Sequence, residues 1–201
     1  MNTTNELMKF DLFQGEKICL APVDMEHDPE IISLWSHDSS YLRAMGPALA
    51  QPIPPSKVKK MLEELEKDSD KSGNLYHFTI RTLDGDRLIG TAQIKWIEWS
   101  TGSGWANLGI GSPDDRGKGY GTEAFHKLLR YAFHELNLYR LTAMVPGYNE
   151  GARRFIQRFG FTEDACQREA LHCYGRHWDL LLCGLLRDEW LQASGSIGGS
   201  K

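Results

Sequence analysis

Two hydrophobic periods alternate along this chain, and their order predicts its elements. Ile18, Leu20 and Ala21 read as a short strand closed by Pro22. Asp28 and Pro29 then mark a helix start, Asp28 as the cap and Pro29 as the first helical residue, with Ile31, Ile32 and Trp35 turned inward. A Pro-rich loop over 51–55 leads to a second helix, where Val58, Met61, Leu62 and Leu65 share one stripe and the charges share the solvated face. Tyr76, Phe78 and Ile80 alternate with His77 and Thr79, the period of a strand. Asp84 and Gly85 turn the chain into a longer strand over 88–99, which makes a hairpin. Residues 101–104 turn again, and 106–111 form a further strand.

From residue 122 the period becomes that of a helix. Ala124, Phe125, Leu128, Leu129, Ala132, Phe133 and Leu136 make a stripe that packs on the sheet. Residues 141–145 are a strand, Asn149 caps a helix carrying Ala152, Phe155, Ile156 and Phe159, and Gly160 ends it. Closing strands over 161–170 and 178–185 complete an α/β order. With 201 residues, 41% of them apolar, the chain fits one large domain better than two small ones. That domain is expected over 16–192, after a loosely held lead-in, 1–15, and before a flexible tail, 193–201, rich in Gly and Ser and without a period.

Charge and cysteine usage narrow the classes. A formal net charge of -4 argues against a binder of phosphate backbones, so no nucleic-acid partner is expected. Cys19, Cys166, Cys173 and Cys183 form no CxxC pair, and His172 beside Cys173 lacks a second ligand pair, so no metal site is expected. The first residues lack the apolar stretch of a signal peptide and no run approaches a membrane span, which predicts a cytoplasmic protein without a membrane partner.

The chemistry-bearing stretch is Arg116, Gly117, Lys118, Gly119, Tyr120 and Gly121, between a strand and a strongly amphipathic helix. Glycines let the backbone approach a ligand, and free N–H groups at a helix start suit a diphosphate. The spacing is that of neither a Walker loop nor a GxGxxG dinucleotide turn. Taken alone, the motif reads equally as a Gly-rich turn that caps a helix.

Its surroundings resemble a known family. Arg116-x-x-Gly119-x-Gly121 is similar to the (Q/R)xxGx(G/A) signature of the GNAT acetyltransferases, preceded by Leu108, Gly109, Ile110 and Gly111 and followed by Thr122, Glu123 and Ala124. Asn149-x-x-Ala152 and Phe159-Gly160-Phe161 resemble the family's second half, and the likeness runs from Leu20 to Trp190. It is nearest the RimL-type branch, whose members acetylate protein N-terminal amines, polyamines and other small amines. The resemblance implies a single α/β domain with a mixed, mostly antiparallel central sheet, splayed at the cofactor cleft and flanked by helices on both faces. It implies acetyl-CoA as cosubstrate and a primary amine as acceptor. On that likeness the pantetheine arm pairs with Ile110 and Gly111, the amides of Arg116, Gly117, Lys118, Gly119, Tyr120, Gly121 and Thr122 hold the diphosphate, and Asn149 makes a polar contact to the arm.

Acetyl transfer needs a neutral amine, a polarised carbonyl and a stabilised leaving thiolate. By family analogy the amide of Gly111 or Ile110 polarises the carbonyl. Many members carry a glutamate where Asn107 stands and a tyrosine where Ile156 stands; a carboxamide is no base and an alkyl chain no acid. Direct transfer in a ternary complex, with water carrying the proton, is therefore expected. Glu98, His172, Glu123, His177 and Tyr174 are the remaining proton-handling candidates, each equally readable as an ordinary surface carboxylate, ring or hydroxyl. Asp24, Glu26, His27 and Asp28 read either as capping or as attraction for a cationic amine. The missing side chains keep a second reading open, a catalytically weak acyl-CoA-binding regulatory module. Acceptor specificity is expected to vary in 39–53 and 100–104, and edge strands near the C-terminus leave a homodimer open.

Overall fold

The computed structural model describes residues 11–46 and 49–197. Seven strands, β1 (Ile18–Ala21), β2 (Tyr76–Thr82), β3 (Leu88–Glu98), β4 (Ser103–Ile110), β5 (Arg140–Pro146), β6 (Thr162–Cys173) and β7 (Arg176–Leu186), form one sheet in the order β1-β2-β3-β4-β5-β7-β6. All neighbours are antiparallel except β4 and β5, which run parallel. The helices are α1 (Asp28–Trp35), α2 (Ser39–Met45), α3 (Pro55–Ser72), α4 (Tyr120–Arg130), α5 (Glu150–Gln157) and α6 (Arg187–Ile197). Among the described residues, no helix is long and apolar enough to cross a membrane.

The core lies under α4, where Ala124, Phe125, Leu128 and Leu129 are buried on the face that the sequence marks. Each large side chain buried there stabilises the fold by about 1.5–3 kcal/mol. Phe125 centres an aromatic cluster, its ring 5.4, 4.8 and 5.8 Å from those of Phe155, Phe159 and Phe161. Because α4 follows β4 and α5 follows β5, this cluster joins the two halves of the sheet through their helices. Past Arg130 the helix widens into a turn over Tyr131–Glu135, closed by the Leu136 N–H donating to Tyr131 O at 3.0 Å.

Several expectations differ from the structure for identifiable reasons. Asp28 is not a cap: its buried carboxylate accepts the Asp24 N–H at 2.8 Å and pairs with Arg81, since a buried charge requires donors, and the cap position falls on His27. Met61 is exposed, because α3 buries only Val58 and Leu62. Segment 39–53, where acceptor specificity is expected to vary and no element is predicted, contains α2; seven residues are too few to show a period, and Asp38 caps the helix by accepting the Ser40 N–H at 2.8 Å. The helix α6 runs past residue 192 to Ile197, anchored by Trp190, whose ring packs 5.3 Å from that of Phe133. The strands β6 and β7 reach further than expected, to a two-residue turn at Tyr174 and Gly175 with φ of 54 and 72°. Residues 1–10 of the lead-in and 198–201 of the tail lie outside the described residues.

The turn after β4 is fixed to the start of β3 by Asp115, which is 4% exposed and accepts two N–H bonds from Arg87 at 2.7 and 2.8 Å. These bonds hold the Asp115 carboxyl below the usual carboxylate range. A carboxyl lowered in the folded state contributes its stability in full above its unfolded pKa, near 4, and loses it as pH falls through the folded value.

Two outcomes follow for urea denaturation. Leu129→Ala should lower unfolding stability by about 2–5 kcal/mol, whereas Leu34→Ala on the exposed face of α1 should change it by less than about 0.5 kcal/mol. Asp115→Asn should cost about 1–3 kcal/mol at pH 7, and its deficit relative to wild type should shrink as the pH is lowered from about 5 toward 3.

Candidate active site

Between the two parallel strands the sheet opens. Their register covers Ser103↔Arg140, Gly104↔Leu141 and Trp105↔Thr142, and then stops. Beyond it β4 keeps β3 as a partner as far as Ile110, and β5 keeps β7 as far as Pro146, so each lip of the gap is a supported strand. The Gly111 N–H donates to Ile89 O at 2.9 Å. In an antiparallel ladder that parity turns the peptide groups of Gly109 and Asn107 toward β3, and those of Leu108 and Ile110 toward the gap. The amide expected at Gly111 is thus engaged within the sheet, and Ile110 is the member of the pair that faces the opening. What Gly111 supplies is space: a Cβ there would lie 2.1 Å from the Trp35 ring.

The loop expected to cradle a diphosphate runs from the end of β4 to the start of α4. Gly119, with φ 89°, occupies the cap of α4 in the left-handed region that only glycine adopts without strain, and no side chain caps the helix. The first helical amides, from Tyr120, Gly121 and Thr122, therefore keep their N–H groups without an intrahelical partner, at the positive end of the helix dipole. Lys17 Nζ donates to Lys118 O at 3.4 Å and adds a cation to the rim. This donor set suits a diphosphate.

Arg116 acts differently from its neighbours. Its guanidinium donates to Ile110 O at 3.2 Å, to Gly111 O at 2.7 Å and to Asp38 at 3.4 Å, stapling the loop to the end of β4 and to the start of α2. Glu123 is likewise structural, since its carboxylate accepts the backbone N–H groups of Glu16 and Lys17. Across the gap, Asn149 caps α5 by accepting the Ala152 N–H at 3.0 Å, and Ile156 is buried in the core. Asn107 donates to Met45 O at 3.4 Å.

Of the remaining proton-handling candidates, His172 and Tyr174 border a cavity beside the opening, whereas Glu98 lies away from it. Glu98 ends β3 opposite Ser103, at the end of β4 remote from Ile110, and bonds from Ser100 keep its carboxyl below the ordinary range. His172 packs against its cross-strand partner His177, the rings 5.0 Å apart, near the β6–β7 tip. The acidic cluster before α1 is consumed locally, Asp28 by Arg81 and Asp24 by His27 and the Glu26 N–H.

On the other side of the opening, sequence reasoning named His172 and Tyr174 but missed Arg43 and Tyr148 beside them. A cavity of about 260 Å³ lies between the end of α2, the second residue after β5 and the β6–β7 tip, bordered among others by Arg43, Tyr148, Leu171, His172, Cys173 and Tyr174. Tyr148 donates its hydroxyl to Arg43 O at 2.9 Å, and burial raises its pKa. The one sequence signal was its place directly before the cap Asn149.

Known proteins of the same build are found on comparison. The family described as "Acetyltransferase (GNAT) domain" matches residues 17–162. The "Probable N-acetyltransferase YjcK" of Bacillus subtilis is 28% identical over 170 residues, 82% of this chain and 91% of its own length. The "Uncharacterized N-acetyltransferase p20" of Bacillus licheniformis is 25% identical over 175 residues, 87% of this chain and 96% of its own. Among solved structures, the spermidine N-acetyltransferase from Vibrio cholerae in complex with CoA and spermine superposes with a TM-score of 0.74 at 21% identity, covering 87% of this chain and 98% of that one, a likeness of fold. The chain belongs to the GNAT acetyltransferase family, and is an acetyl-transferring enzyme of the kind that uses acetyl-CoA.

Proposed function

We propose that this enzyme is an N-acetyltransferase of the RimL-type branch that moves the acetyl group of acetyl-CoA directly to a primary amine, on a protein N-terminus or a small molecule. The observation that carries the reading is the parted edge of β4, with Ile110 turned to the gap, beside a helix start that no side chain caps. In this reading the backbone of Ile110 and Gly111 borders the pantetheine arm, and the amides of 116–122 hold the diphosphate. Asn149 keeps its carboxamide N–H₂ group for the arm, since its oxygen serves α5.

The transfer balances without a covalent enzyme intermediate. The amine lone pair forms the new C–N bond to the acetyl carbon as the C–S bond breaks and sulfur leaves with the electron pair. Of the two protons lost from the starting ammonium, one ends on the thiol and one in solvent. The Ile110 N–H is the donor placed to polarise the carbonyl. With Asn107 tied to Met45 and Ile156 in the core, water takes the proton from nitrogen.

Thiol release from acetyl-CoA over a panel of amines tests this. Gly119→Asp, which puts a charged side chain into a left-handed cap facing the diphosphate, should weaken CoA binding at least about tenfold; the backbone strain of about 1–2 kcal/mol should be shared by Gly119→Asn, which lacks the charge and should bind CoA more tightly than Gly119→Asp. With a working acceptor, kcat/KM should rise about tenfold per pH unit up to the pKa of the amine, and Glu98→Gln and His172→Gln should leave that profile in place. A lower break that vanishes in one variant would restore that residue as the base. Tight CoA binding without release for any amine would favour the binding-module reading.

A further inference from the structure

Among the described residues the wall of the cavity beside the opening holds one arginine stacked on an aromatic ring and no carboxylate, and a second such stack lies beside it. The Arg43 guanidinium carbon lies 4.1 Å from the centre of the Tyr174 ring, and that of Arg176 lies 3.5 Å from the centre of the Trp178 ring. Tyr148 joins the two stacks, 6.2 Å from Tyr174 and 5.5 Å from Trp178 by ring centres. Among the described residues neither arginine forms a salt bridge, and the groups acting on Arg43 are Tyr174, Cys173 and Tyr148.

Backbone conformation at the tip adds an independent observation. Tyr174 has φ 54° and Gly175 φ 72°, the left-handed pair of a two-residue hairpin turn. Glycine, asparagine or aspartate fit the first position with less strain than a tyrosine, whose ring there is held under Arg43. A strained residue kept in a cavity wall points to recognition.

The cavity also adjoins the reacting region. Its Arg43 and Gly46 end α2, whose Met45 carbonyl accepts from Asn107 on β4, and its Tyr148 precedes Asn149 at the end of β5. It thus spans the two lips of the opening.

We infer that the acceptor amine belongs to a molecule that also carries a carboxylate, bound at Arg43 and seated among Tyr148, Tyr174 and Leu171. A guanidinium stacked on a ring keeps outer N–H groups for a bidentate anion, and its unpaired charge at the cavity wall repels a polyamine. This inference rests on the acetyl-transfer reading and names its substrate class. A carboxylate near the amine has two sources, a free amino acid or an acidic residue next to a peptide N-terminus.

The test uses matched acceptors with the full chain: phenylalanine, phenylalaninamide, phenethylamine, spermidine, and the dipeptide amides Phe-Glu and Phe-Gln. Arg43→Gln should cut kcat/KM for phenylalanine or Phe-Glu about tenfold or more, mainly through KM, and should change phenylalaninamide and Phe-Gln less than about twofold. Arg43→Lys, which keeps the charge but not the fork, should recover part of the loss. Loss with phenylalanine alone assigns a free amino acid, and loss with Phe-Glu alone assigns an acidic peptide. Spermidine as the preferred acceptor, or equal effects of Arg43→Gln on charged and neutral acceptors, overturns the inference and leaves acetyl transfer standing. Absence of thiol release with every amine tells against acetyl transfer itself. The carboxylate site is then read by calorimetric titration of phenylalanine into CoA-saturated protein, where binding lost in Arg43→Gln supports it and no binding overturns it.

Discussion

The rest of this structure depends on a parallel strand pair that is allowed to come apart. After Trp105 and Thr142, β4 and β5 no longer share a register, yet each continues with an antiparallel partner on its other side. An unpaired peptide group buried from water costs about 1–3 kcal/mol, so such a gap persists only if something else holds its lips and something polar can enter it. The holding is done one layer away. Phe125 of α4 meets Phe155 and Phe159 of the α5 region and Phe161 beyond, so apolar contact between helices replaces the missing strand contact. The entering group must then be polar along its length, as an amide-bearing arm is, and end in charge that a helix start can hold.

Within this frame the legible and illegible parts of the sequence separate by physical cause. The α4 stripe and the Asn149 cap were readable because each is a local rule: a period of 3.6, or a side chain that bonds an amide three residues on. Gly119 was readable because a left-handed cap needs glycine. The role of Gly111 was not, because which of two adjacent amides faces the gap is a parity, settled by the single bond from Gly111 to Ile89 across two strands. Arg116 shows the same limit: the motif marks its position, but only the fold shows its guanidinium turned back onto Ile110, Gly111 and Asp38. Helix α2 escaped because seven residues carry no period, and α6 because its Ser and Gly content resembles a tail.

Charge was the least legible property. A net charge of -4 describes the whole chain, and in sequence the acidic cluster before α1 reads either as capping or as a counterpart for a cation. In the fold Asp28 and Asp24 are spent on Arg81, His27 and nearby amides, while arginines from α2 and β7, distant in sequence, stack on Tyr174 and Trp178. Sign at a site is thus set by which charges remain without an opposite partner after folding, a sum that composition does not contain.

The helix α2 brings these strands of argument together. A seven-residue helix is about 10 Å long and far too short to be stable alone, so its contacts decide whether it exists. Those contacts are spread along it. At its start Asp38 meets Arg116, the staple of the Gly-rich loop; in its last turn Met45 meets Asn107 on the lip of β4; and Arg43 meets Tyr148 and Tyr174 at the cavity beside the opening. Anything that orders the loop end therefore adds to the order of the cavity end, because both depend on the same marginal element. Under the proposed reading, in which the loop holds the cofactor and the cavity the acceptor, a helix of two turns held at both ends is sufficient, with no moving domain, to make the binding of one favour the other.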